Sequence, residues 1–207
     1  MDTLKQRYID MYTHWLTTSL HAPESAGHLQ AIIDILVELT DANDAAPVQT
    51  TPLVDRYLAD ILAQITAPTL QPFASELSNL SPSLYWDTVP NAYLGETFAQ
   101  NYAVCRLACP TTANKPSVIY ASEQIYAGIT LQGPHIYYPP HRHKAVEFYG
   151  ILSGTAQWQQ GDGAWEAKEP GSFIYHESDI MHAMQTNDEP LLACYVWIGD
   201  IFSPIEF

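Results

Sequence analysis

The first eighty residues carry apolar side chains at intervals of three and four, the spacing that predicts amphipathic helices. The segments "DTLKQRYIDMYTHWLTTSL" and "SAGHLQAIIDILVELTDA" each form one apolar stripe at this spacing. A third segment, "TTPLVDRYLADILAQI", begins with two threonines that can cap a helix, followed by Pro52 in the first turn. A shorter helix is predicted around Pro72 to Leu80. We therefore expect an α-helical N-terminal region.

After Ser81 the apolar spacing changes to two, the period of a strand with one buried face. Turn residues such as those in "GPH", "GDG" and "EPGS" separate the strand-like segments. Short strands with regular turns and no intervening helices predict an antiparallel sandwich or barrel. We expect a helical region, residues 1–82, packed on a β-barrel, residues 83–207. The predicted strands lie in "TFAQNYAVCRLAC", "QIYAGITLQ", "AVEFYGILSG", "TAQWQQ", "AWEAKE", "MHAMQT" and "LLACYVWIGDI".

Composition narrows the possible partners. The 207 residues include eight basic and 23 acidic side chains, giving a formal net charge of -15. This balance argues against nucleic acid or an anionic membrane as partner. No apolar run approaches the roughly 20 residues of a membrane span, and no signal peptide is recognised, so we expect a cytoplasmic protein. The three cysteines have no metal-finger spacing and are interpreted as buried, reduced thiols.

The segment "HRHKAVE" carries the candidate chemistry. If it is one strand, side-chain alternation places His141 and His143 on the same face. Glu147 and Tyr149, further along the chain, project to that face as well. Buried imidazoles and a carboxylate are costly without partners, and a divalent metal removes that cost by coordinating them. The pattern therefore predicts a metal site with a tyrosine beside it.

The spacing H-x-H-x3-E-x6-G, from His141 to Gly154, resembles the first metal motif of the cupin superfamily, which folds as a jelly-roll β-barrel. The glycine that precedes the motif, Gly133, lies two positions further away than in the family pattern, which affects the approach turn and not the ligands. The resemblance implies a fourth ligand from a second motif. The segment "PGSFIYHESDIMHAM" offers two candidates, His176 in a predicted turn and His182 on the following strand. We prefer His182 and keep His176 as the alternative.

A wider set of residues resembles the cupin-type dimethylsulfoniopropionate (DMSP) lyases, which have about this length and a helical region before the barrel. The resemblance implies a β-elimination that converts DMSP, a zwitterionic sulfonium carboxylate, to acrylate and dimethyl sulfide. It also implies one divalent transition metal, such as zinc, iron or manganese, that binds the substrate carboxylate, with Tyr149 as the general base. The residues that carry the resemblance are Tyr137, Pro139, His141, His143, Ala145, Glu147, Tyr149, Leu152 and Gly154.

The sulfonium cation of such a substrate is attracted to aromatic faces, by about 0.5–2 kcal/mol each. Tyr138 matches a tyrosine of that family, and Trp197 lies near the position of a pocket tryptophan in the family. With Tyr137, they are the candidate substrate-binding residues.

Two other functions are compatible with the same ligands. One is another cupin enzyme, such as a metal-dependent dioxygenase or an isomerase of a small carboxylic acid. The other is a cupin that binds a ligand without catalysis. Neither the metal nor the oligomeric state can be read from the sequence, although cupins often form homodimers.

Overall fold

The computed structural model describes residues 3–18, 23–41, 47–89, 94–110 and 119–207. Four helices, which confirm the predicted helical region, precede the main strands: α1 (Thr3–Thr18), α2 (Pro23–Glu38), α3 (Pro52–Gln64) and α4 (Gln71–Leu80). The side-chain oxygen of Thr51 caps α3 by accepting a hydrogen bond from the amide of Val54 at 3.3 Å. Among the described residues, no helix combines the length and apolar character needed to cross a bilayer.

The strands form two sheets. The larger sheet contains β1 (Thr40–Asp41), β2 (Asp87–Thr88), β3 (Tyr102–Cys109), β4 (Tyr120–Ala121), β5 (Ile125–Gln132), β7 (Ala145–Ser153), β10 (Phe173–His176) and β12 (Leu191–Gly199). Its order is β1-β4-β3-β5-β12-β7-β10, with β2 paired to β3. The smaller sheet contains β6 (Tyr137–His141), β8 (Ala156–Gln160), β9 (Glu166–Lys168) and β11 (His182–Thr186), in the order β6-β11-β8-β9.

The two faces of the larger sheet serve different purposes. Along β12, Cys194 and Val196 belong to an apolar core shared with the helices, whereas Ala193 and Tyr195 belong to a second core shared with the smaller sheet. The helices thus cover the outer face, and the inner face lines the barrel interior. The predicted jelly-roll (cupin) barrel preceded by an α-helical segment is confirmed, while the division of the chain at residue 82 stays a prediction.

Helix α1 lies directly on the sheet. The hydroxyl of Tyr8 donates a 2.8 Å hydrogen bond to the carbonyl oxygen of Gly128 on β5. On β7, a Cβ at Gly150 would lie 1.8 Å from the Trp15 ring, so only a glycine permits this contact. Close approach of helix and strand therefore depends on the absence of a side chain at Gly150.

One predicted strand is partly wrong. The segment "TFAQNYAVCRLAC" begins in a short helix, α5 (Gly95–Gln100), and β3 starts only at Tyr102. The side chains of Glu96 and Gln100 are joined by a 2.9 Å hydrogen bond at helical spacing. Phe98 is buried and stacks on Tyr102 with ring centroids 4.8 Å apart. Phe98 is therefore a buried apolar residue of a helix, and period-two alternation alone does not distinguish it from a strand residue.

The segment "HRHKAVE" is not a single strand. β6 ends at His141 in the smaller sheet, and β7 begins at Ala145 in the larger sheet. The chain thus crosses between the sheets within the motif. Pro139 and Pro140 lie inside β6. They are tolerated because β6 is at the edge of its sheet, where a missing N–H donor is not needed.

Candidate functional site

Both sheets contribute to a buried cluster around Glu147, which is 1% exposed. Its Oε2 atom lies 3.2 Å from each of three imidazole nitrogens: Nε2 of His143, Nδ1 of His176 and Nε2 of His182. His176 stands directly opposite Glu147 in the β10–β7 ladder, and His182 comes from β11 in the smaller sheet. We call Glu147, His143, His176 and His182 the His–Glu cluster.

Three histidines near this carboxylate are oriented by the backbone. A ring nitrogen that donates to a carbonyl oxygen leaves the other nitrogen available as a metal ligand. His176 differs, because its Nδ1 faces Glu147. The three Nδ1-to-carbonyl contacts are His141 with Pro139 at 2.8 Å, His143 with Ala145 at 3.0 Å and His182 with Ile180 at 3.0 Å.

The donor atoms fit a metal ion. Those of His143, Glu147 and His182 all lie within 4.8 Å of one another. Ligands at about 2.0–2.2 Å from a metal stand roughly 3–3.5 Å apart, which matches the 3.2 Å separations. The buried Nε2 of His182 makes no hydrogen bond despite its distance to Glu147, and such an orphaned nitrogen indicates a missing partner. Nitrogen and carboxylate donors suit first-row divalent metals.

His141 lies beside this group of three. Its ring centroid is 4.2 Å from that of His182 and 6.4 Å from that of His143. It is 3% exposed and lines the cavity described below. His141, a predicted ligand of the first motif, is therefore close to the cluster, and its coordination stays a prediction.

Burial and mutual interactions set the charges here. Burial alone would raise the pKa of Glu147, but its interactions with the nearby imidazoles of His143, His176 and His182 hold that pKa well below its usual value. Burial lowers the pKa of His141 to about 3 and that of His176 to about 4. Glu147 is therefore a carboxylate anion, and the imidazoles of His141 and His176 are neutral. An anionic carboxylate and a neutral imidazole are the forms that bind metals.

Tyr149 is 5% exposed and faces the same cavity from β7. Its ring lies 4.9 Å from that of Trp158 and 6.1 Å from that of His176. Burial, followed by the charge of Glu147, raises the pKa of the phenol well above its usual value. The structure thus brings the predicted base next to the predicted metal ligands.

The candidate substrate-binding aromatics occupy different places. Tyr138 stacks on His141 with ring centroids 4.0 Å apart. Trp197 donates from its ring nitrogen to the second carboxylate oxygen of Glu147, and its ring lies 4.2 Å from that of His143. Tyr137, by contrast, is half exposed and does not line the cavity, so its position does not support a substrate contact.

The cavity next to the cluster has a volume of about 420 Å³. Two features of its wall were not predicted: Arg106 on β3, and the segment Ser203–Ile205 that follows β12. His176 was placed in a turn by the sequence but ends β10, where its ladder position brings it to Glu147. Strand pairing between distant segments, which one sequence does not display, is the signal that was missing.

Comparison with known proteins identifies relatives. A family model for dimethylsulfoniopropionate lyase matches residues 24–193, more than half of the chain. Dimethylsulfoniopropionate lyase DddQ of Ruegeria pomeroyi is 34% identical over 82 residues, which cover 40% of this chain and 41% of that protein. The provisionally named dimethylsulfoniopropionate lyase DddL of Cereibacter sphaeroides is 28% identical over 180 residues, covering 83% of this chain and 71% of that protein.

Solved structures share the fold along the whole chain. The crystal structure of DMSP lyase DddQ from Ruegeria pomeroyi superposes with a TM-score of 0.71 at 20% identity, covering 100% of this chain and 97% of that one. A second, described as crystal structures of the DMSP lyases RdDddP and RnDddQII, gives a TM-score of 0.74 at 20% identity, with 99% and 97% coverage. The helical region and the barrel thus recur together.

Proposed function

The chain belongs to the dimethylsulfoniopropionate lyase family, and we propose that it cleaves DMSP to acrylate and dimethyl sulfide by a metal-dependent β-elimination. One observation supports this most directly. The buried His–Glu cluster offers metal-binding atoms at ligand separations, and Tyr149 faces the same cavity from the same strand as Glu147. A ligand-binding cupin needs the cluster, but an eliminating enzyme also needs a base.

We propose His143, Glu147 and His182 as metal ligands, with His141 as the fourth. When bound, a divalent ion supplies Lewis-acid stabilisation of the negative charge that develops on the substrate carboxylate as the α-proton leaves. Trp197 orients the Glu147 carboxylate through its indole N–H. Zinc, iron and manganese all suit this donor set.

Tyr149 is the proposed general base. Its hydroxyl oxygen, as phenolate, takes the α-proton of the substrate. The electrons of that C–H bond form the double bond of acrylate, and those of the β-carbon–sulfur bond leave with neutral dimethyl sulfide, which needs no acid. An unperturbed phenol has a pKa of about 10, and burial raises the pKa of Tyr149 further. The role therefore requires positive charge at the neighbouring cluster, which lowers the pKa of the phenol.

Tyr138 and Trp197 are proposed to hold the sulfonium end by cation–π attraction. Both line the cavity, and each is fixed by contact with a histidine of the proposed metal site. Their faces are therefore oriented before substrate arrives. The cytoplasmic location remains a prediction from the sequence, and a homodimer remains an expectation from the resemblance to cupins.

The experiment is a headspace assay for dimethyl sulfide under anaerobic conditions, with protein loaded separately with zinc, manganese or iron(II). Release of dimethyl sulfide without oxygen supports the lyase. A dioxygenase on the same scaffold would require oxygen and would release no dimethyl sulfide. Absence of product with all three metals would contradict the proposed function.

A further inference from the structure

The cavity continues from the His–Glu cluster to a cationic side chain on β3. Across the larger sheet, Arg106 stands opposite Gly128, Gly128 opposite Tyr195, and Tyr195 opposite Tyr149. Arg106 and Tyr149 therefore lie in one row, three strand spacings apart, which is about 14 Å at roughly 4.8 Å per strand. Arg106, Tyr195 and Tyr149 all line the cavity.

Gly128 allows Tyr195 to reach towards Arg106. A Cβ at Gly128 would lie 2.8 Å from both Cε1 and the hydroxyl oxygen of Tyr195, so this phenol lies across β5 in the direction of β3. Burial raises the pKa of the Tyr126 phenol, and its interaction with the Arg106 guanidinium opposes that rise. We call Arg106, Tyr126 and Tyr195 the Arg106 corner. It combines one guanidinium with two phenols at the end of the cavity away from the cluster.

Arg106 is unusual for a residue inside a barrel. It is 6% exposed, and its Nη1 lies 3.3 Å from Oδ2 of Asp87. A buried ion pair is weak evidence for a role in stability, because desolvation offsets much of its attraction. A guanidinium on a cavity wall is, however, well suited to bind a carboxylate, since its planar N–H groups match the two oxygens.

We propose that the Arg106 corner is a second anion-binding point, so that the cavity takes ligands with two acid groups: a dicarboxylate, or a β-substituted propionate whose substituent carries a second carboxylate. One end binds at the His–Glu cluster, which rests on the proposed function, and the other end binds Arg106. The volume of about 420 Å³ is within the range of roughly 300–1,000 Å³ that holds drug-sized ligands. It exceeds what a small zwitterion such as DMSP fills.

Calorimetric titration of the zinc-loaded protein tests this. Succinate, glutarate and adipate are each compared with the monocarboxylate of the same carbon number. We expect one dicarboxylate of the series to bind at least about tenfold more tightly than its partner, the size of one charge-assisted interaction. Arg106→Gln should reduce that preference to about twofold or less and leave monocarboxylate binding unchanged. Arg106→Lys, which keeps the charge and loses the planar fork, should give an intermediate preference.

Asp87→Asn is the matched control. It breaks the same ion pair as Arg106→Gln but retains the guanidinium, so the preference for the dicarboxylate should persist or increase. A purely structural ion pair would make the two variants behave alike, which would overturn the inference. The inference would also be overturned if the wild-type protein bound monocarboxylates but bound no dicarboxylate more tightly than the monocarboxylate of the same carbon number. If even monocarboxylates fail to bind the zinc-loaded protein, the proposed metal end fails instead.

Discussion

In the proposed mechanism, Tyr149 separates an eliminating enzyme from a ligand-binding protein with the same metal site. Tyr149→Phe removes the hydroxyl and keeps the ring that packs on Trp158. We expect dimethyl sulfide release to fall by about 10²–10⁴, the usual contribution of a general base, while metal content stays normal. Headspace assay and metal analysis of the same preparation measure both quantities. Turnover close to wild type would remove Tyr149 from the mechanism.

His182 and His176 are the two alternative candidates for the metal ligand from the second motif. The backbone orients His182 so that its Nε2 faces the cluster without a hydrogen bond, whereas His176 uses Nδ1 to contact Glu147. We expect His182→Ala to weaken zinc binding more than His176→Ala does, by about tenfold or more. Competition titration with a chromophoric chelator measures this.

A control for both is His135→Asn. His135 is exposed, with a positive φ of 58° that asparagine tolerates. The His135→Asn variant should bind zinc as tightly as the wild-type protein. If His176→Ala proves the more damaging of the two, His176 is the ligand.

Much of this site could be predicted from the sequence, because alternation and motif spacing are local. His141, Glu147 and Tyr149 do line one cavity, and His143 lies beside Glu147, although the strand that was expected to carry them is split between two sheets. His176 could not be placed, because its position depends on pairing with a strand that begins 28 residues earlier: β7 at 145 and β10 at 173.

At the scale of elements, the segment after β12 is fastened over the cavity by Arg142, the residue between the two histidines of the motif. Arg142 and Glu206 exchange two backbone hydrogen bonds of 2.9 Å, and their side chains pair at 2.8 and 3.0 Å. The intervening Ser203–Ile205 then lines the cavity. Arg142, the outward-facing residue of the motif, therefore holds the segment after β12 in place.

Arg142→Gln should loosen this segment and raise the KM for DMSP by about two- to fivefold, since an exposed ion pair contributes roughly 0–1 kcal/mol. The value of kcat should change little, because no reacting group moves. Steady-state rates of dimethyl sulfide release give both constants. Arg7→Gln, which breaks an exposed ion pair with Asp10 on α1, is the matched control and should leave KM unaltered. Equal KM values in the two variants would show that the Arg142–Glu206 contact does not shape the cavity.

At the scale of the whole molecule, the helices and the larger sheet share one apolar core. Gly150→Ala would place a methyl group 1.8 Å from the Trp15 ring and push α1 away from β7. We expect a loss of about 1–3 kcal/mol in the free energy of unfolding, the usual cost of overpacking. Chemical denaturation followed by circular dichroism and tryptophan fluorescence measures it.

The control has the opposite expected sign. At Gly27, inside α2, an added Cβ would meet no atom within 4 Å. Gly27→Ala should therefore stabilise the protein by about 0.4–1 kcal/mol. If Gly150→Ala and Gly27→Ala have the same free energy of unfolding, α1 does not pack on β7 as described.

The fold class was predictable, since helical spacing gives way to period-two spacing near Ser81. The short helix α5 and the two-proline strand β6 were not, because tertiary contacts decide them: Phe98 on Tyr102, and an edge position that spares Pro139 and Pro140 an N–H donor. The close contact of Trp15 with Gly150 was equally hidden, as it joins residues far apart in the chain.

The central claim is that this chain eliminates dimethyl sulfide from DMSP with a metal at the His–Glu cluster. The most direct measurement is simultaneous quantification of acrylate and dimethyl sulfide against bound metal, in protein stripped by a chelator and then reloaded stepwise. We predict equal amounts of the two products, in proportion to the metal bound and absent from the stripped protein. Fully loaded protein that releases neither product, or stripped protein that is as active as loaded protein, would contradict it.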